Sequence, residues 1–454
     1  MDSTRESLQD RFETLRIFGW LFITLSLVTF LSKPGATHDE WYHISNIFCK
    51  EPQSGEYCRF DRSNLYPQLF YSVIGIIAHE HQEHYVLLAR ILSALIVSVA
   101  IGFLWLQLPS QYRTALMLVI VTVFPATGYF LFASINPSSW TAVGVGTGWL
   151  GIHAALSPQA FTAKRRFTLI LSSLVLLVMA VGSRWDSLPF ITLVAWIILI
   201  HMLIVYFPTA SRMVTGVSVG AAVVLLWLLE VRTTIKPMFF IDKLFSYPDG
   251  EPDNVTFYTH YVLEGLPNAL FSLGSVPAMS RIIIPKIVFI AGMVILGLFV
   301  VISFNRNSKA QITGAIALVV GISVTIMAQV AAIDNRDPFG VEPRYSYPLL
   351  IVLVGWWFLL APLDNAFRVF RYIGFAIIVN VLMFAVTFFT ITEFFVDKQT
   401  FGLRILPEAP DQWWWSWLPT GPNVVLVAAV YSQWKFLRSL CGSLTRNSLA
   451  LSGE

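Results

Sequence analysis

Apolar residues run along this chain in long blocks separated by short polar stretches, and they neither alternate with polar residues nor recur on one helical face. Crossing about 30 Å of hydrocarbon takes roughly 20 residues of helix. Blocks of that kind stand near 16–32, 85–107, 114–134, 140–157, 167–182, 188–206, 213–231, 283–304, 310–333, 348–362, 372–392 and 421–436. These runs predict about 12 transmembrane helices, hence an all-α polytopic bundle forming one integral membrane domain over residues 1–454. One further run, Tyr66 to Ala78, reaches only about 20 Å at 1.5 Å per residue and is read as a juxtamembrane helix lying in the interface. There is no internal repeat and no polar segment large enough for a separately folding domain.

Composition agrees with the pattern. Hydrophobic residues make up 56% and charged residues 13%, with a mean hydropathy of +0.67, whereas soluble domains carry roughly 25% charged residues. A net charge of +3 suggests no nucleic-acid partner. What matters is which loops hold the charge. With Tyr66–Ala78 kept out of the membrane, one side collects Arg113, Lys164-Arg165-Arg166, Arg212, Arg306, Lys309, Arg368, Arg371, Lys435, Arg438 and Arg446. The other side collects most of the acids. The positive-inside rule therefore places both termini in the cytoplasm of a multi-pass cytoplasmic (plasma) membrane protein, and the charged start reads as leading into a retained anchor. Counting Tyr66–Ala78 as a span would move Lys164-Arg165-Arg166 outside.

Four sizeable segments then face outward: 33–84, 232–282, 334–347 and 393–420. The last contains Trp413-Trp414-Trp415-Ser416-Trp417, which fits an aromatic interface belt or a platform for sugar or lipid. Asn254-Val255-Thr256 has the form of a glycosylation sequon. Cys49 and Cys58 lie close in the first outer loop and read equally as a disulfide or as two thiols, while Cys441 is remote.

A cluster of titratable side chains, Thr37-His38-Asp39-Glu40-Trp41-Tyr42-His43, stands shortly after the first span, with Arg59 and Arg62 in the same loop. A carboxylate there suits a general base for an acceptor hydroxyl. Asp39 and His43 would share a helical face and could hold a divalent cation together with Glu40. The plainer reading is a solvated loop whose acids cap a short helix. Arg344, just ahead of an apolar helix, suits a bidentate contact with a lipid-linked phosphate or simply snorkels. Arg184 either joins it or pairs with Asp186. Arg90, a few residues into an apolar helix, is costly in lipid and should face the bundle interior or the outer-loop acids. Phosphate-binding Gly-Lys-Ser/Thr loops, His-Glu-x-x-His and Gly-x-Ser-x-Gly are absent, as is a chain of charges in mid-span.

Taken in order, these features resemble the GT-C superfamily of membrane glycosyltransferases, and most closely an uncharacterised bacterial family of polytopic proteins grouped with it. Its Asp-Glu-x-x-His first loop is matched by Asp39-Glu40-Trp41-Tyr42-His43, and its Pro-led amphipathic segment by Leu65-Tyr66-Pro67-Gln68-Leu69-Phe70-Tyr71. Arg90 matches the arginine opening the next helix, Ser134-Ile135-Asn136-Pro137 a characteristic turn, and Arg344-Tyr345 with Pro348 a late Arg-Tyr motif. Trp41 stands where the family usually has proline, and Arg184 where it has lysine. The likeness spans roughly residues 16–362.

The resemblance implies transfer of a sugar from a polyprenyl-phosphate donor to a cell-envelope glycan, lipid or protein acceptor on the outer membrane face. Asp39 would be the catalytic base, with Glu40 the second candidate. His43, Arg90, Arg184, Arg344 and Tyr345 would bind substrate, and a divalent cation is optional. The rival expectation is a non-enzymatic transporter, flippase or assembly scaffold for lipid-linked glycans.

Overall fold

The computed structural model describes residues 2–33, 40, 43–44, 47, 66–77, 82–124, 127–157, 161–185, 187–206, 286–304, 311, 347–361, 363–396 and 421–451. Outside them lie the expected spans 213–231 and, apart from Gln311, 310–333, the segments 232–282 and 397–420, Asn254, Cys49, Cys58, Arg59, Arg62 and Asp186. The candidate site residues Asp39, Arg344 and Tyr345 are outside them as well.

Every regular element among the described residues is helical. The first half holds α1 (Asp2–Phe30), α2 (Gln68–Ile74), α3 (Gln82–Gln107), α4 (Ser110–Val123), α5 (Thr127–Phe132), α6 (Pro137–Leu156), α7 (Ala163–Ser183) and α8 (Ser187–Tyr206). The remainder are α9 (Lys286–Ser303), α10 (Tyr347–Leu359), α11 (Leu363–Val396) and α12 (Pro422–Leu451). Four stretches are long and apolar enough to cross a membrane: Asp10–Phe30, Tyr85–Gln107, Ala163–Ser183 and Tyr372–Thr392. Ser110–Val123, Phe190–Leu199, Ile290–Ser303 and Tyr347–Leu359 are shorter apolar helices. The segment read as juxtamembrane forms α2 and a single 3-10 turn, Gly75–Ile77. At about 10 Å, α2 is far too short to cross.

One expected span is interrupted. The run near 114–134 divides into α4 and α5, and Pro125, outside the described residues, stands between them in the sequence. Proline has no amide hydrogen and its ring crowds the preceding turn, so the carbonyl four residues back, Val121, loses its helical donor. Hydrocarbon supplies no water to replace it. The protein does so with side chains: Asn380 Nδ2 donates to Val121 O at 2.7 Å, and the Tyr347 hydroxyl donates to Val123 O at 2.9 Å. Gln433 Nε2 in turn donates to Asn380 Oδ1 at 2.6 Å, tying α12 to the same break.

At the centre stands α6, buried along almost its whole length. It packs most extensively on α7, then on α10, and only sparingly on α8. Close approach depends on glycine: a Cβ at Gly144 would overlap the Leu176 carbonyl and the Ala180 side chain, and one at Gly151 would overlap Ser173 Oγ. Around this core, α1 lies between α3 and α12, and α11 packs on α9 and α12.

A buried arginine marks each end of the bundle. Arg113, at the start of α4, donates to the carbonyls of Trp105, Leu106 and Leu108 at the end of α3, and forms a two-pronged pair with Asp10 at 3.0 and 2.9 Å. Arg165 joins this pole through the Gln107 carbonyl at 3.2 Å. Arg90 holds the opposite pole, contacting the Thr29 carbonyl at the end of α1 at 3.1 Å. Asp10 and Thr29 are separated along α1 by about 28 Å, close to the hydrocarbon thickness of about 30 Å.

Candidate functional site

The Arg90 pole is where the titratable residues gather. Glu40 is fully buried, and Arg90 grips its carboxylate with Nε on Oε1 at 2.7 Å and Nη2 on Oε2 at 2.5 Å. The Ile135 amide adds a third donor to Oε1 at 3.3 Å. Arg90 itself is 1% exposed. Its remaining hydrogens go to the carbonyls of Thr29, Ser32 and Lys33 and to Ser32 Oγ, at 2.8 to 3.1 Å. The last carbonyls of a helix have no intrahelical donor, so Arg90 caps α1 while it neutralises Glu40. The expected inward placement of Arg90 is what the structure has. The pair ties Glu40 to the end of α1 and spends the donors Arg90 would need for a phosphate.

A turn further along, His43 Nδ1 lies 2.9 Å from the Tyr71 hydroxyl of α2, and its ring meets the Tyr66 ring edge-on with centroids 5.2 Å apart. The guanidinium carbon of Arg184 sits 5.5 Å from the centre of the same Tyr66 ring. Tyr66 thus lies between His43 and Arg184. A planar guanidinium over an aromatic ring is a favourable arrangement, worth about 0.5–2 kcal/mol depending on desolvation.

Arg184 closes the end of α7, its own amide donating to the Ala180 carbonyl at 3.0 Å. Its Nη1 donates to Ser138 Oγ at 2.9 Å, and the residue is only 8% exposed. Ser138 belongs to the first turn of α6. Asn136 caps that helix, its Oδ1 accepting from the Ser138 amide at 2.9 Å, and Pro137 follows as the first helical residue. This is the sequence pattern that starts a helix well. Asn136 is buried, and its Nδ2 has no hydrogen-bond partner among the described residues. Nearby, the Thr141 hydroxyl is hydrogen-bonded to those of Ser183 and Ser187 at 3.1 and 3.0 Å.

A helix amino terminus, a buried amide donor, a serine hydroxyl and an arginine are thereby brought to one place, the chemistry that receives an anion. Of the residues expected from sequence, Glu40, His43, Arg90 and Arg184 converge here, while Asp39, Arg344 and Tyr345 fall outside the described residues. Tyr66, Tyr71, Asn136 and Ser138 were not anticipated as site residues, although Tyr66, Tyr71 and Asn136 lie in motifs that drew attention. No group of three or more potential metal ligands occurs among the described residues.

Residues 50–353, well over half of the chain, match the model of a family described as "Predicted membrane protein (DUF2142)". The chain belongs to that family. The matched region starts after Asp39, Glu40 and His43 and takes in Tyr66, Arg90, Asn136, Arg184 and Arg344. Family membership and the apolar helices together make it a membrane protein. No curated protein and no solved structure matches the chain.

Proposed function

We propose that this protein is a GT-C-like glycosyltransferase of about 12 spans, with both termini cytoplasmic, acting at the outer face of the cytoplasmic membrane on a polyprenyl-phosphate-linked sugar. The observation that carries the reading is the convergence at the start of α6 of Arg184, Ser138 and the Asn136 amide, which has no partner among the described residues, beside His43 and Tyr66. In this reading the cluster receives the donor phosphate, with Tyr66 and His43 offering aromatic surface to the sugar.

Asp39 is the preferred base, because its neighbour Glu40 already has Arg90 on both oxygens. Asp39 takes the proton of an acceptor hydroxyl, whose oxygen attacks the anomeric carbon. The bond from that carbon to the phosphate oxygen breaks, polyprenyl phosphate leaves, and the anomeric configuration inverts. Arg184, with Arg344 and Tyr345 as further contacts, stabilises the charge growing on the phosphate. The acceptor is a cell-envelope glycan, lipid or protein. A divalent cation is optional to this chemistry, since an arginine can offset the leaving charge.

The test is transfer from labelled polyprenyl-phosphate sugars in proteoliposomes, comparing the native protein with Arg184→Ala. The reading expects product from the native protein and a loss of about 100-fold or more in the variant, the scale of removing one transition-state donor. Tight binding of the lipid-linked sugar with no product from the native protein would instead favour a transporter or scaffold.

A further inference from the structure

We infer that the protein carries a seat for a single anionic phospholipid at the pole opposite the candidate active site, independent of the glycosyltransferase reading. A predominantly apolar groove of about 410 Å³ runs between α7 and α8, with α6 as its floor. That volume falls within the range of built ligand sites, about 300–1,000 Å³. Val145, Trp149, Ile152 and Leu156 form the floor, recurring at three- and four-residue steps along one face of α6, with Leu177 of α7 and Ala195 of α8 on the walls. From Val145 to Leu156 the helix rises about 16 Å, half of a hydrocarbon core of about 30 Å. The groove therefore matches one acyl chain of one leaflet, the leaflet at the Arg113 pole.

Charge says which lipid. Lys164 and Arg166 stand exposed in the first turn of α7 and have no ion-pair partner among the described residues, while Arg165 is drawn away to the end of α3. Arg166 is eleven residues before Leu177, three turns on the same face of α7, so it lies above the groove where the groove meets that membrane surface. Neither α6, α7 nor α8 contains an acidic residue. A chain in the groove thus places its headgroup beside Arg166, with Lys164 in the same helical turn and neither cation ion-paired among the described residues, which favours a phosphodiester with net negative charge over a zwitterion. The positive-inside pattern puts this pole at the cytoplasmic leaflet, where anionic lipids are met.

The full-length protein in phosphatidylcholine nanodiscs, titrated with phosphatidylglycerol, gives the test by native mass spectrometry and thermal unfolding. One phosphatidylglycerol is expected to be retained and to raise the melting temperature, with glycerol phosphate unable to substitute. Joint Lys164→Gln and Arg166→Gln replacement should weaken retention about 25-fold, at about 1 kcal/mol per surface cation. Ala195→Trp, which fills the groove from an exposed position and keeps both cations, should abolish it. Ala195→Leu serves if the larger residue disturbs folding. Equal retention of phosphatidylcholine, or retention unchanged in both kinds of variant, overturns the proposal. So would a groove that stays closed to added lipid because a segment of the chain itself fills it.

Discussion

Replacing Arg90 with leucine is the most informative structural perturbation, because so much converges on one side chain. Arg90 and Glu40 are 1% and 0% exposed, so water screens neither charge. Removing one partner of a buried pair costs about 3–5 kcal/mol, since the other charge is left uncompensated. Glu40→Leu should fall in that range. Arg90→Leu should cost more, because it also strips the donor from the Thr29, Ser32 and Lys33 carbonyls at the end of α1, and each orphaned buried acceptor adds about 1–3 kcal/mol. The double variant discards both charges together and should be less destabilised than the sum of the singles, with a coupling of at least about 2 kcal/mol. Unfolding in lipid nanodiscs, followed by tryptophan fluorescence, reads all four corners of the cycle. Additive effects, or single variants within about 1 kcal/mol of the native protein, would refute a buried, mutually dependent pair.

Other positions offer independent checks. Asn380→Leu should destabilise by about 1–2 kcal/mol, because the Val121 carbonyl loses its replacement donor, whereas adding Pro125→Ala restores an amide and should recover part of the loss in the same unfolding assay. Gly144→Leu should abolish stable expression by forcing α7 off α6, while Gly19→Ala, with open space around it in the interior of α1, should leave the melting temperature unchanged or raise it slightly. Asp10→Asn should cost less than about 1 kcal/mol because Asp10 is 41% exposed. Arg113→Leu should cost at least about 2 kcal/mol by uncapping the end of α3.

Much of the helical framework is readable in the chain because hydrocarbon imposes a length and an apolarity that few other folds share. Arg90 stands out for a similar reason: a charge inside an apolar run must find a partner. Which partner is not readable, since Glu40 lies fifty residues away and no local spacing links them. The break between α4 and α5 was missed because apolarity continues across Pro125, and its compensation by Asn380 and Tyr347 comes from helices far along the sequence. Asn136 and Ser138 carry no charge and sit beside an ordinary helix start, so only their meeting with Arg184 gives them meaning. The uniform burial of α6 is likewise a property of its neighbours, as its own pattern distinguishes no inner face.

The central claim stands on Asp39, and the measurement that reaches it directly is the Asp39→Asn variant assayed for both binding and transfer of a polyprenyl-phosphate sugar. The substitution keeps the shape of the side chain and removes its basicity. Binding should stay close to native, while transfer should fall by about 10²–10⁴, the usual contribution of a general base. Unchanged transfer would contradict the assignment of Asp39 and, with it, the proposed reaction at this pole.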